Sequence, residues 1–144
     1  MASKDNFNNF KAVPAFNIRT ISSNTTTTGD VIDTAGFESV TFTFQTGTIT
    51  DGDYTILIED ADESAFNVTN AAVADAFLLG TEAGASFTAD TDDNDISKIG
   101  YIGGKRYVRL SVVSTNVSSG GIVGAQCILG HPTDAPQSTQ ITRN

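Results

Sequence analysis

The 144 residues are the length of one domain and can bury about two-thirds of their unfolded surface, so folding needs no disulfide or metal staple. Eight Lys and Arg against seventeen Asp and Glu give a formal charge of −9, which repels the polyanionic backbone that dominates nucleic-acid affinity and argues against DNA or RNA as partners. The single cysteine, Cys127, excludes an intramolecular disulfide, a zinc knuckle and a CxxC redox pair, and no apolar run reaches membrane-spanning length.

The polar opening MASKDNFNNF holds no apolar stretch of the signal-peptide kind, so synthesis and folding in a cytoplasm are expected. Residues 1–12 combine Asn, Lys and Asp with isolated Phe7 and Phe10, too sparse for a core element but suited to a flexible or partner-ordered arm. Apolar spacing over 13–21 is extended, with Pro14 marking an edge or a strand start, and SSNTTTTGD over 22–30 reads as a polar loop. The clearest strand covers 37–46, where Val40, Phe42 and Phe44 point one way and Thr41, Thr43 and Gln45 the other. After a turn containing Asp51-Gly52, residues 54–59 alternate again, Tyr54, Ile56 and Ile58 against Thr55, Leu57 and Glu59. These two runs are expected to pair as a hairpin.

Residues 60–64 are acidic and turn-like. The Ala-rich stretch 66–80 lacks a 3.6-residue stripe and reads as a bent strand. An acidic loop over 88–95 precedes a third alternating run, 105–114, with Val108, Leu110 and Val112 on its inner face. A Ser-Ser-Gly-Gly turn leads into 122–129, apolar on both faces and therefore central in a sheet, which is expected to form a C-terminal hairpin with 105–114. Residues 131–144, with Pro132 and Pro136, read as an extended tail. Short strands between Gly, Asp, Asn and Ser turns, with no fixed-period repeat, predict an all-β antiparallel sandwich of jelly-roll type over 13–130.

No residue pattern selects an enzyme or a cofactor. A hydrolase triad needs a histidine base beside a nucleophile, and the one histidine, His131, stands before Pro132 at the start of the tail. Nothing in the spacing of the carboxylates picks out a glycosidase pair, and without Trp the commonest sugar-stacking platform is missing. Asp90, Asp92 and Asn94 imitate the first three ligands of a calcium loop, but the glycine required at the sixth place is Asp95 and the glutamate of the twelfth is Tyr101. A solvated acidic turn is the plainer reading. Cys127, inside an apolar run, reads as a small buried hydrophobe. The glycines around Gly103-Gly104 match no phosphate cradle and read as a tight turn before a strand. Lys98, Lys105, Arg106 and Arg109 gather in twelve positions, a patch able to bind an acidic partner or to pair across strands with Glu59, Asp60 or Asp62.

The segments Gly100-Tyr101-Ile102-Gly103-Gly104-Lys105-Arg106-Tyr107-Val108-Arg109 and Ile128-Leu129-Gly130-His131-Pro132 resemble a family of small virion proteins encoded among the head genes of tailed bacteriophages. Asp33-Thr34-Ala35-Gly36-Phe37-Glu38-Ser39-Val40, Gly52-Asp53-Tyr54-Thr55 and Glu59-Asp60-Ala61-Asp62 resemble that family's N-terminal half, so the likeness spans residues 32–136. It implies a non-enzymatic decoration, or cement, protein on the outside of the head. Its partners would be the major capsid protein and further copies of itself, with no nucleic acid or membrane involved. Phe7, Phe10, Lys98, Lys105, Arg106 and Arg109 are then the candidate attachment residues. Two other readings remain: a head-completion, connector or tail-associated protein, and a sandwich that binds host carbohydrate.

Overall fold

The computed structural model describes residues 4–143. Its strands, in chain order, are β1 (Phe10–Ile21), β2 (Thr25–Thr28), β3 (Ile32–Asp33), β4 (Phe37–Ile49), β5 (Asp53–Ala61), β6 (Ala71–Ala72), β7 (Leu78–Leu79), β8 (Ile96–Tyr101), β9 (Tyr107–Thr115) and β10 (Gly121–Pro132). They form two antiparallel sheets packed face to face, the first in the order β1-β10-β4-β8-β7 and the second β2-β9-β5-β6, with β3 also paired to β9. This is the all-β sandwich that the alternating runs predict.

The period-2 pattern works because alternate side chains of a strand point to opposite faces, so one inward set can be wholly apolar. On β4 the inward set is Val40, Phe42 and Phe44, placed across from Leu129, Cys127 and Ala125 of β10. On the second sheet Tyr54, Ile56 and Ile58 of β5 lie across from Ser114, Val112 and Leu110 of β9. All of these but Ala125 are buried, and the apolar ones join one core cluster between the sheets. Thr46, Ser111 and Ser114 are buried too, and each hydroxyl has a partner: Thr46 donates to the Asp92 carbonyl (2.6 Å), Ser111 to Glu59 (3.1 Å) and Ser114 to the Ser23 carbonyl (2.8 Å).

Neither expected hairpin exists. β4 and β5 lie in different sheets, and so do β9 and β10; β4 pairs instead with β10, and β5 with β9. Both turns are arches that carry the chain across the core. Alternation shows which side chains are buried, but the facing sheets of a sandwich bury the same kind of face, so it cannot tell a hairpin from an arch. What stabilises the arches is one carboxylate. Asp51 Oδ1 accepts the backbone N–H groups of Ser118 (3.0 Å), Ser119 (3.0 Å) and Gly120 (2.8 Å), so the first arch grips the second. The Thr50 N–H returns a bond to the Gly120 carbonyl (3.0 Å), and the buried Tyr54 hydroxyl donates to the Asp51 carbonyl (2.9 Å). Gly52 and Gly120 make the bends with φ of +100° and +99°, which an L side chain adopts only with strain.

Residues 66–80 do not form one bent strand. Their two short strands belong to different sheets, β6 beside β5 and β7 beside β8, with a 3₁₀ turn at Asp75–Phe77 between them. Val73 and Leu78 are the buried anchors, and the exposed Ala and Asp residues between them leave no apolar stripe to sustain longer pairing. At the opposite side β1 closes the sandwich. Its pairing with β10 shifts register around Phe16, and there the Ala15 carbonyl accepts the Asp30 N–H at 2.8 Å, tying the two sheets together. β1 starts before residue 13, so that Phe10, Lys11 and Ala12, read as arm, pair with Gly130, Leu129 and Ile128; likewise His131 and Pro132, read as tail, complete β10.

Phe42→Ala or Leu110→Ala should destabilise the domain by roughly 2 to 5 kcal/mol in chemical denaturation, the range for large-to-small changes in a packed core. Asp51→Ala should lower the melting temperature, and Asp51→Asn should lower it less because one acceptor oxygen remains facing the N–H groups.

Candidate functional site

The basic cluster singled out in the sequence is dispersed and largely neutralised. Arg109, on the outer face of β9, donates to Glu59 Oε2 of β5 at 2.8 and 3.0 Å, and this pair is only 15% and 13% exposed. The buried Phe66 ring covers it, with the guanidinium carbon 4.3 Å from the ring centroid. Arg106 forms a two-pronged bond with Asp33, both contacts 2.8 Å, which holds the Asp33 carboxyl below the usual carboxylate range and raises the guanidinium. Lys105 pairs with Asp62. The Gly103-Gly104 turn wraps Tyr101: its hydroxyl donates to Asp60 (2.8 Å) and accepts the Lys105 N–H (3.0 Å), and a Cβ at Gly103 would stand 2.5 Å from that oxygen. Burial first, and Asp60 second, push the Tyr101 phenol up. Ion pairing thus accounts for three of the four bases; Lys98 is exposed on the outer face of β8, opposite Thr43.

The acidic loop is equally occupied. Asp92 Oδ2 accepts the N–H groups of Thr88 (3.1 Å) and Ala89 (3.0 Å), Asp93 Oδ1 accepts that of Ile49 (2.6 Å), and Asn94 takes a left-handed φ of 59°. Asp92 and Asn94 therefore shape the loop, while Asp90 is exposed, and among the described residues no three His, Cys, Asp or Glu side chains gather around one point. His131 sits at the end of β10 with Nδ1 3.0 Å from Ser39 Oγ, both at the surface, and no described group orients the other ring nitrogen. Cys127 is sealed in the core, and burial pushes its thiol up to about 12, which keeps it unreactive.

One further carboxylate matters to the surface loops. Glu63 Oε1 accepts the N–H groups of Asn67 (3.1 Å), Val68 (2.7 Å) and Thr69 (2.9 Å), and Oε2 takes the Thr69 hydroxyl. These bonds, the Thr69 hydroxyl foremost, bring the Glu63 carboxyl down to about 2 and hold the loop that lays Phe66 on Arg109.

What the fold does assemble is the outer face of the first sheet. Its outward positions carry Ile18 and Pro14 from β1, Ile122, Gln126 and Ile128 from β10, Thr41, Thr43 and Gln45 from β4, Ile96 and Lys98 from β8, and Leu79 from β7. The middle of this face, around Ile18, Thr43, Gln45, Ile122 and Gln126, carries no carboxylate; Lys98 on β8 is charged, as is Glu38, exposed at the far end of β4 beside Ile128 and Gly130. Three glycines flatten the floor: a Cβ on Gly124 would strike Ile18 at 2.6 Å, one on Gly100 would meet Leu79 at 3.0 Å, and one on Gly47 would meet Ile122 at 3.2 Å. Each glycine thus lets an aliphatic side chain lean across it, and Ile18 and Leu79 remain 81% and 60% exposed. Of the residues singled out in the sequence, Phe10 and Lys98 belong to this sheet, while Phe7 is exposed on a 3₁₀ turn (Phe7–Asn9) at its end. The sequence does contain carboxylate-free alternate positions in 39–47 and 122–130, but only the pairing puts them side by side.

No family model, curated protein or solved structure matches the chain. The assignment of function therefore rests on the residues themselves.

Because the Glu63 carboxyl is lower in the folded chain than its ordinary value of 4.5, its bonds stabilise the loop above about pH 4.5 and are lost as pH falls towards about 2. Amide exchange read by NMR should show the protection of Asn67, Val68 and Thr69 disappearing over that window, and Glu63→Gln should weaken it already at neutral pH.

Proposed function

We propose that this chain is a non-enzymatic structural component of a tailed-phage virion, a decoration protein that binds the outside of the head shell and stabilises it. The resemblance over residues 32–136 supports the setting. The engagement of the chemistry-bearing side chains in holding loops, with Asp51, Glu63, Asp92 and Asp93 each accepting backbone N–H groups, supports binding over catalysis.

The observation that carries the attachment is Phe7. It is 53% exposed, yet it sits on an ordered turn whose Asn8 donates its backbone N–H and its side-chain amide to Asp5, while the Asn8 carbonyl accepts the Gln137 N–H at 2.8 Å. The two ends of the chain thus brace each other at one end of the sandwich. An aromatic ring presented on a pre-ordered turn docks with little entropy loss, which favours the shell contact over a disordered leader. A shell gains stability by mass action from any ligand that binds the assembled lattice and not the free subunit.

Phe7→Ser should leave thermal melting of the free protein unchanged and weaken its rebinding to stripped particles roughly tenfold or more, the equivalent of one buried aromatic side chain. Hundreds of copies per purified particle, read by quantitative gel or cryo-EM, agree with decoration. A handful of copies would assign the chain to a connector or tail position instead.

A further inference from the structure

We infer that the outer face of the first sheet is a self-association surface, on which a second copy of this chain docks face to face. Each copy carries −9, so two copies repel wherever their acidic groups meet, and the middle of the face, around Ile18, Thr43, Gln45, Ile122 and Gln126, is where they can close without opposing carboxylates, Glu38 standing away at the end of β4. Its side chains are of the kind that pair with themselves. Gln45 and Gln126 are exposed amides, each both donor and acceptor, between the aliphatic groups of Ile18, Ile122 and Leu79. The flattening by Gly124, Gly100 and Gly47 suits sheet-on-sheet packing, in which two faces meet about 10 Å apart.

Size agrees with this occupant. At a strand spacing of about 4.8 Å and a rise of about 3.3 Å per residue, the first sheet spans roughly 700 Å², its β1 side bordered by residues 140–142, against about 800 Å² per partner in a standard stable interface. A shallow groove of about 370 Å³ between Ile18, Gln45, Ile122 and Gln126 leaves room for a projecting side chain of the other copy, and the strongly exposed Ile18 at its rim is the natural candidate to fill it. The outer face of the second sheet differs: there the Glu59–Arg109 pair and its Phe66 cover interrupt any flat surface. The dimer forms in solution with no shell present, so its failure would leave head attachment through Phe7 untouched.

Sedimentation velocity on the full chain, from about 1 to about 100 µM, should show a concentration-dependent dimer, the affinity range in which a modest interface of this area falls. The isosteric pair Gln45→Glu and Gln126→Glu adds four carboxylates to the closed interface with no change of shape, and should weaken the dimer at least tenfold while leaving the melting temperature of the monomer nearly unchanged. The pair Thr26→Glu and Thr28→Glu, equally exposed on β2 of the other sheet, adds the same charge and should leave the dimer intact. A monomer at every concentration overturns the inference, as does a dimer that ignores Gln45→Glu and Gln126→Glu. So does a monomeric wild type whose particle occupancy falls with those two changes, which would assign the face to the shell.

Discussion

A single carboxylate, that of Asp51, ties together the two arches that carry the chain from one sheet to the other. Three consecutive N–H groups at Ser118, Ser119 and Gly120 converge on it, a small anion nest, and the backbone of the first arch bonds back to the second through Thr50. The bonds join residues 50–51 to residues 118–120, so they offset part of the entropy lost in closing that long loop. Consistent with this lock, β4 runs beside β10 and β5 beside β9, and the inward faces of all four strands meet across the core. Tyr54 roots this end in the interior, buried itself, with its hydroxyl on the Asp51 carbonyl.

The same economy governs the remaining charges. Arg109 and Glu59 are nearly out of solvent, so removing either would leave a charge without its partner, whereas the pairs Arg106–Asp33 and Lys105–Asp62 are at the surface and contribute little to stability. Their effect is on the surface pattern. Most acidic side chains end up on loops, arches and the second sheet, and the middle of the first sheet's outer face is left without a carboxylate. A strongly acidic protein thereby keeps its solubility and still offers one surface that another protein can cover without desolvating a carboxylate.

The inward faces were legible in the sequence at Val40, Phe42, Phe44, Tyr54, Ile56, Ile58, Val108, Leu110 and Val112, all of them buried, and the central place of β10 followed from its apolar residues on both faces. Alternation is a local property, and burial of an alternating run requires only that something apolar lie opposite. The alternative uses of the basic cluster were legible as well, although Asp33 as the partner of Arg106 lies 73 positions away and no spacing rule finds it.

Strand neighbours belonged to the tertiary structure alone. Asp51-Gly52 is a hairpin dipeptide by composition, but its carboxylate bonds residues 67 to 69 positions further on, across the junction of two arches where hairpins were expected. The same holds for the candidate docking face. Thr41, Gln45, Gln126 and Ile18 are unremarkable one by one; they become a continuous uncharged surface only because β1, β10 and β4 lie side by side. By itself the sequence determined an all-β sandwich and its buried faces, because those depend on residue alternation. The tertiary structure decided which strands touch and which outward residues share a surface, because those depend on hydrogen bonds between residues far apart in the chain.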